Sequence, residues 1–255
     1  MSVLRLATIN VHSFRNPKNY DSNVIDLVSI LQPLNLDLIA TEEIQNNNHW
    51  TNFCRNLGFE HFIHGQCGQD YFANGIASRH PIKFHSNQSD SFSYSGGTRA
   101  LLQCRLDGFD NLTFGVTHLD HFAEDPRLKQ IEYFKPHKQN IDILMGDMNS
   151  LTRDDYSDDY FSKTVFGQRK KSGWEKPRFD LTHLITHEWD YQDAFKLKNP
   201  KIKDEQLATC AYGTRIDYIF VHPRINERWN LTECLIIDTK GVTDHNGVLA
   251  EFKLK

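Results

Sequence analysis

The chain has 255 residues, 39% of them hydrophobic and 12% aromatic, enough for one sizeable core. Its 29 Lys+Arg and 33 Asp+Glu give a formal net charge of −4. That balance excludes the broad basic face of proteins that coat long nucleic acids, so an anionic partner must be gripped locally or through a metal ion. The five cysteines (Cys54, Cys67, Cys104, Cys210 and Cys234) are odd in number and scattered, which does not make a disulfide framework. "MSVLRLATIN" is too short and too alternating for a signal peptide. No run approaches the ~18 apolar residues of a membrane span. An intracellular protein, cytoplasmic or nuclear, is expected, and a monomer.

"VLRLATI" opens the chain as a strand. "SNVIDLVSILQ" puts Val24, Leu27, Val28 and Leu31 on one helical face, and Pro33 stops it. "LDLIAT" is the next strand. In "HWTNFCRNLG", Trp50, Phe53, Cys54 and Leu57 fall at helical spacing, with Gly58 placed for a C-terminal cap. Strands follow at "EHFIH", "GIASR", "RALLQCRL" and "LTFGVTH". "DPRLKQIEYF" predicts a helix with Asp125 as N-cap and Pro126 at the first position, where Leu128, Ile131 and Phe134 repeat at i+3. "DILMG" is a strand. "TRDDYSDDYFSKTVFG" opens a helix at Thr152 with an imperfect capping box to Asp155. "DLTHLITHEW" buries Leu181, Leu184 and Ile185. "RIDYIFV", "TECLIID" and "GVLAEFKL" are the last strands. These ten strands and about five helices do not alternate regularly. Paired β-sheets with helices outside fit better than a regular βαβ wheel, in one domain spanning residues 1–255.

Polar residues mark the strand ends. Asn10, Glu42 and Glu43, His118, and Asp147 with Asn149 close four strands. Asp217 sits inside the apolar "RIDYIFV", and Asp244 and His245 precede "GVLAEF". If these ends lie along one edge, they form a pocket of carboxylate and amide oxygens plus imidazole. That donor set suits Mg²⁺, Mn²⁺ or Ca²⁺ over zinc, and crowded carboxylates need a cation to neutralise them. Such a site supports attack of water on a phosphorus ester. Any one of these residues alone is commonly a cap or a turn. Asp217 is the exception, because a carboxylate among apolar neighbours needs a partner. Alternation along "IDILMGDMN" predicts Asp147 and Asn149 on one side, with Met148 turned away.

The segments "TIN", "ATEEIQ", "VTHLD", "GDMNS", "TRIDYIFV" and "VTDHNGV" resemble, in order and spacing, the motifs of the endonuclease/exonuclease/phosphatase superfamily. The resemblance covers nearly the whole chain. It implies a four-layer α/β sandwich with the site at one edge of two packed mixed sheets. It implies a Mg²⁺-dependent phosphodiesterase, with Mn²⁺ as a substitute, acting on nucleic acid or another phosphodiester. Glu43 would be the main metal ligand, with Asn10 and Asp244 at or next to the metal. Asp147 would act on the attacking water, and Asn149 would hold that water or the pentacovalent phosphate. His245, oriented by Asp217, and His118 would contact the phosphate.

The branch is less defined. "TRIDYI" lacks the Trp-Cys-Asp-Arg motif of inositol 5-phosphatases, and the glutamate that often precedes the arginine of the strand at Arg99 is missing. Secreted deoxyribonucleases carry disulfides and a signal peptide. The loop "GQRKKSGWEKPR" offers Arg169, Lys170, Lys171, Lys176 and Arg178 around Trp174, either to touch a phosphate backbone and stack a base or as a solvated charged loop. The alternative functions are a lipid or small-molecule phosphoesterase and a non-catalytic binding module. The pattern Cys54, His61, His64, Cys67 is a poor match to a structural zinc site.

Overall fold

The computed structural model describes residues 3–68, 72–92, 96–109 and 112–255. Its strands, in chain order, are β1 (Val3–Asn10), β2 (Leu38–Ile44), β3 (His61–Gln66), β4 (Ala73–Ser78), β5 (Ile82–Ser89), β6 (Ala100–Leu106), β7 (Thr113–Thr117), β8 (Ile143–Asp147), β9 (Gln192–Asp193), β10 (Asp217–Val221), β11 (Trp229–Ile237) and β12 (Gly247–Leu254). They form two six-stranded mixed sheets, ordered β11-β12-β1-β2-β4-β3 and β5-β6-β7-β8-β10-β9. Period-two alternation gives each central strand two apolar faces. In β1, Leu4 and Leu6 join the cluster between the sheets, while Ala7 and Ile9 join the cluster on the outer face. In β10, Ile219 and Val221 face inward, and Tyr218 and Phe220 outward.

Helices cover both outer faces. α1 (Val24–Leu31) and α2 (Asn48–Asn56) press Leu27, Leu31, Trp50, Phe53 and Cys54 onto the first sheet. Asn47 caps α2 by accepting from His49 N and Trp50 N, and Gly58 takes the left-handed position just past its end, φ +79°. α3 (Glu124–Phe134) and the helical turns over 180–188 cover the second sheet through Ile131, Phe134, Leu181 and Ile185. The result is the four-layer α/β sandwich. No helix among the described residues is long and apolar enough to cross a membrane, and all five cysteines are free.

Four local expectations need correction. β5 and β9 were not expected. β5, "IKFHSNQS", is a mostly polar edge strand with little buried surface, and β9 has two residues. Asp125 is not the N-cap of α3. Ala123 holds that position, and Asp120 Oδ1 accepts from Phe122 N and Ala123 N just before it. Thr152 makes no side-chain cap. A 3₁₀ turn over Arg153–Asp155 intervenes, and the helical segment starts at Ser157, whose hydroxyl accepts from Tyr160 N. That segment runs through π-helical turns over Phe161–Phe166 into Gly167–Ser172.

Candidate active site

Strand parity assembles the site. Leu4 and Leu6 point between the sheets, so Asn10 does too; Glu42 follows Leu38 and Ala40 in the same way. In the second sheet, His118 follows Phe114 and Val116, and Asp147 follows Ile143 and Met145. β1 and β2 run parallel with Asn10 beside Glu42, and β7 and β8 are parallel. β10 runs antiparallel to β8 and starts where β8 ends, with Asp217 directly opposite Asp147. The apolar layer between the sheets therefore gives way to polar groups at one end. Asp244 and His245 enter from the turn before β12.

The two glutamates separate by one backbone irregularity. Pairing of β2 with β4 shifts between Thr41 and Ile44, and Glu43 adopts φ +58°. Glu42 stays fully buried and accepts from Thr8 Oγ1 at 2.7 Å. Burial, then the charge of Asp217, pushes its pKa well above the usual carboxylate range. Glu43 turns to the cleft, where its Oε1 accepts from Asn10 Nδ2 at 3.1 Å.

Asp147 is the hub. Its Oδ2 accepts from Asn10 Nδ2 at 3.2 Å and lies 3.5 Å from His118 Nε2 and 3.8 Å from His245 Nε2. Burial and the facing Asp217 raise its pKa to about 7. His245 Nδ1 donates to Asp217 Oδ2 at 2.9 Å. Burial opposes charge on this imidazole, but Asp217 and Asp147 outweigh burial and hold its pKa well above the usual value. His118 goes the other way: burial, then Arg99 and His245, keep it neutral. Asp147, Asp217 and His245 bring one donor atom each within 4.8 Å, close enough for an ion. However, the Asp217–His245 hydrogen bond already uses the Nδ1 donor, and Asp217 is fully buried. Glu43 and Asp244, which are open to the cleft, are the better-placed carboxylates for a metal.

Asn149 reaches the cleft by another route than expected. β8 ends at Asp147, Met148 is buried in the outer cluster, and Asn149 has φ +51°. Its N–H donates to Asp147 Oδ1, and its amide donates to the Leu119 carbonyl at 3.1 Å. A tight turn, not strand alternation, places it. Gly146 sits just before, at φ +129°, where a Cβ would lie 2.0 Å from the Thr117 carbonyl oxygen.

These residues open on a cleft of about 810 Å³. Arg99 lines it, nearly buried, with Nη2 3.2 Å from His121 Nδ1. Burial and Arg99 lower the His121 pKa, so the neutral ring accepts from the guanidinium. The far wall carries Gln168, Arg169 and Trp174, and Trp174 meets Tyr212 edge-on at 4.8 Å. Lys170, Lys171 and Lys176 do not line the cleft, and Arg178 pairs with Asp125 and Asp180. The sequence reading passed over His12, His121 and Tyr212. His12 opens a one-turn 3₁₀ segment and His121 and Tyr212 sit in a bend and a turn, where no alternation flags a side chain. No Cys54–His61–His64–Cys67 group capable of holding a metal comes together among the described residues, and Cys54 packs in the core.

A family model described as "Endonuclease/Exonuclease/phosphatase family" matches residues 7–245. The chain belongs to this family. No curated protein matches it by sequence. Among solved structures, the endonuclease/exonuclease/phosphatase of Beutenbergia cavernae has a TM-score of 0.73 at 16% identity, covering 100% of this chain and 72% of that one. An AP endonuclease from Archaeoglobus fulgidus has a TM-score of 0.68 at 18% identity, covering 97% and 98%. D. rerio TDP2, complexed with single-strand DNA product, has a TM-score of 0.66 at 17% identity, covering 99% and 100%. At these identities the likeness is one of fold. The family is one of hydrolytic phosphoesterases.

Proposed function

We propose that the chain is one catalytic domain that hydrolyses phosphodiesters in nucleic acid or a nucleic-acid adduct, with a divalent cation. The observation that carries this is the convergence of Asp147, the Asp217–His245 pair and Glu43 with Asp244 at one end of the cleft, facing Arg99. The donor set fits a hard cation. Neither Glu43 nor Asp244 is paired with a lysine or arginine among the described residues. Below them, Glu42 Oε2 and Asp217 Oδ1 are buried without a hydrogen-bond partner, so the site holds more carboxylate oxygen than donors. Glu43, Asp244 and Asn10 would hold the ion, which when bound would stabilise charge on the phosphate oxygens.

The protein groups then divide the work. Asp147, with a pKa of about 7, removes a proton from water as its oxygen bonds to phosphorus. Asn149, beside it, positions that water. Asp217 keeps His245 protonated, so His245 offers a charged N–H to a phosphate oxygen. Neutral His118 donates a second hydrogen bond, and Arg99 supplies a fixed positive charge. The ester P–O bond breaks as the water oxygen is added, the departing oxygen takes a proton from solvent, and Asp147 returns its proton to solvent.

Purified protein should be assayed on DNA, RNA, 5′-phosphotyrosyl DNA and small phosphoesters, with and without Mg²⁺ or Mn²⁺. Metal-dependent turnover of a nucleic-acid substrate is expected. Asp147→Asn should lower it by about 10³-fold or more with the fold intact. No turnover on any substrate by folded protein overturns the enzyme reading. Preference for a lipid or small phosphoester would favour the second reading, for which the exposed Phe122, Trp174 and Tyr212 at the cleft mouth are the supporting observation.

A further inference from the structure

We propose that His12 is a nitrogen ligand of the cation bound by Glu43 and Asp244, and that this ligand shifts the site from Mg²⁺ towards a first-row transition ion such as Mn²⁺. The inference rests on the metal reading above. His12 Nδ1 lies 3.4 Å from Asp244 Oδ1 and 3.9 Å from Glu43 Oε2. Around a six-coordinate ion with bonds of about 2.1 Å, neighbouring donors stand about 3.0 Å apart and opposite donors about 4.2 Å. Both separations fall inside that range. His12 with Asp244 and His12 with Glu43 are therefore each spaced as two ligands of one ion, and drawing Glu43 and Asp244 onto the same ion takes a side-chain movement, since the three donor atoms are not already within 4.8 Å of one another.

The backbone holds His12 there. Its N–H donates to Asn10 Oδ1 at 3.0 Å, while the Asn10 amide reaches Glu43 and Asp147. One asparagine thus ties the His12 backbone to the Glu43 and Asp147 carboxylates. His12, Ser13 and Phe14 have φ of +48°, +56° and +56°, an unfavourable run for non-glycine residues. The run is pinned at its far end by Phe14, which is buried against Phe53 with ring centroids 5.1 Å apart. The imidazole is one-third exposed, so it is reachable by an ion entering from solvent.

The donor chemistry sets the preference. Mg²⁺ holds oxygen ligands and water and gains little from an imidazole. Transition ions gain more from nitrogen, in the order that runs upward from Mn²⁺. A carboxylate pair alone would serve Mg²⁺ well, whereas a carboxylate pair with an imidazole discriminates against it.

Mn²⁺ should be titrated into the purified protein, with free ion followed by its electron paramagnetic resonance line. The bound ion should then be examined by pulsed resonance for nitrogen-14 modulation. The wild type is expected to bind Mn²⁺ with the modulation of a coordinated imidazole. His12→Asn tolerates a left-handed backbone, and His12→Gln is the second variant. Both should lose that modulation and weaken Mn²⁺ binding by about tenfold or more. Mg²⁺ affinity, read by competition, should change by less than about threefold. Circular dichroism checks the fold. Bound Mn²⁺ without nitrogen modulation in the wild type, or modulation retained in both variants, overturns the inference and leaves the metal reading standing. Failure of the wild type to bind Mn²⁺, or binding unchanged by Glu43→Gln, overturns both.

Discussion

Asp217 and Asp147 face each other across β10 and β8, and one proton-holding imidazole lies between their roles. Two buried carboxylates so placed cannot both be ionised cheaply. Asp217 offers its carboxylate to His245, whose pKa it raises, and Asp147 is left with the raised pKa of a base. Asp217→Asn keeps shape but removes that charge. Turnover should fall by about 10²–10⁴-fold, by analogy with loss of the orienting acid in other His–Asp pairs, while the melting curve stays cooperative. Unchanged kcat would remove Asp217 from the mechanism. Gly146 is the neighbouring structural constraint. Gly146→Ala drives a methyl into the Thr117 carbonyl and strains φ, so it should cost about 3 kcal/mol or more in urea denaturation, or abolish folding. A loss under about 1 kcal/mol would mean that β7 and β8 separate readily. Glu42, His118 and Asp147 were legible because each closes an apolar strand on its inward parity, and Asp217 because it opens one. His12, His121 and the true position of Asn149 were not, because left-handed turns and loops carry no period.

Among the elements, the segment 158–172 and the loop after it make the most individual part of the cleft. The helix begins at a Ser157 cap, passes π-helical turns over Phe161–Phe166, and ends at Gly173 in the left-handed conformation, φ +69°. Arg127, buried in α3, reaches Glu175 at 2.5 Å and so fixes the loop that carries Trp174. Of the basic residues that the sequence sets around Trp174, Arg169 lines the cleft beside it, and Lys170, Lys171 and Lys176 do not. On nucleic-acid substrate, Trp174→Ala should raise KM by about five- to 100-fold, the ~1–3 kcal/mol of one base stack, with kcat kept. Lys170→Ala with Lys171→Ala should change KM by less than about threefold at moderate salt, since exposed charges are screened. Equal effects on a small phosphoester would show that the wall packs rather than recognises. The same segment shows why element reading falters. Polar edge strand β5 and the two-residue β9 bury too little to impose a pattern, and π turns break the helical period.

At the scale of the molecule, layer order was legible from irregular strand–helix succession, but sheet order was not. Adjacency of β12 to β1, or of β10 to β8, depends on pairings distant in sequence. One buried ionic network holds such distant parts together. Arg215, 1% exposed, precedes β10 and bonds Asp155 through Nε at 2.8 Å and Asp193 of β9 through Nη1 at 2.9 Å. Its guanidinium also lies 4.4 Å from the Tyr218 ring centroid. Asp155 is fully buried and receives Lys196 Nζ at 3.1 Å. The network joins the sheet edge to the base of the cleft wall. Arg215→Met leaves two carboxylates in a dry site with a single lysine, so it should destabilise by about 3–5 kcal/mol. Adding Asp155→Asn and Asp193→Asn removes the stranded charges and should recover more than half of the loss, because Asn keeps the Asp193 cap on Phe195 N and Lys196 N. Denaturant midpoints of the three proteins decide it. No recovery in the triple variant would mean that Arg215 acts by packing over Tyr218 and Phe195 rather than by neutralising the buried acids.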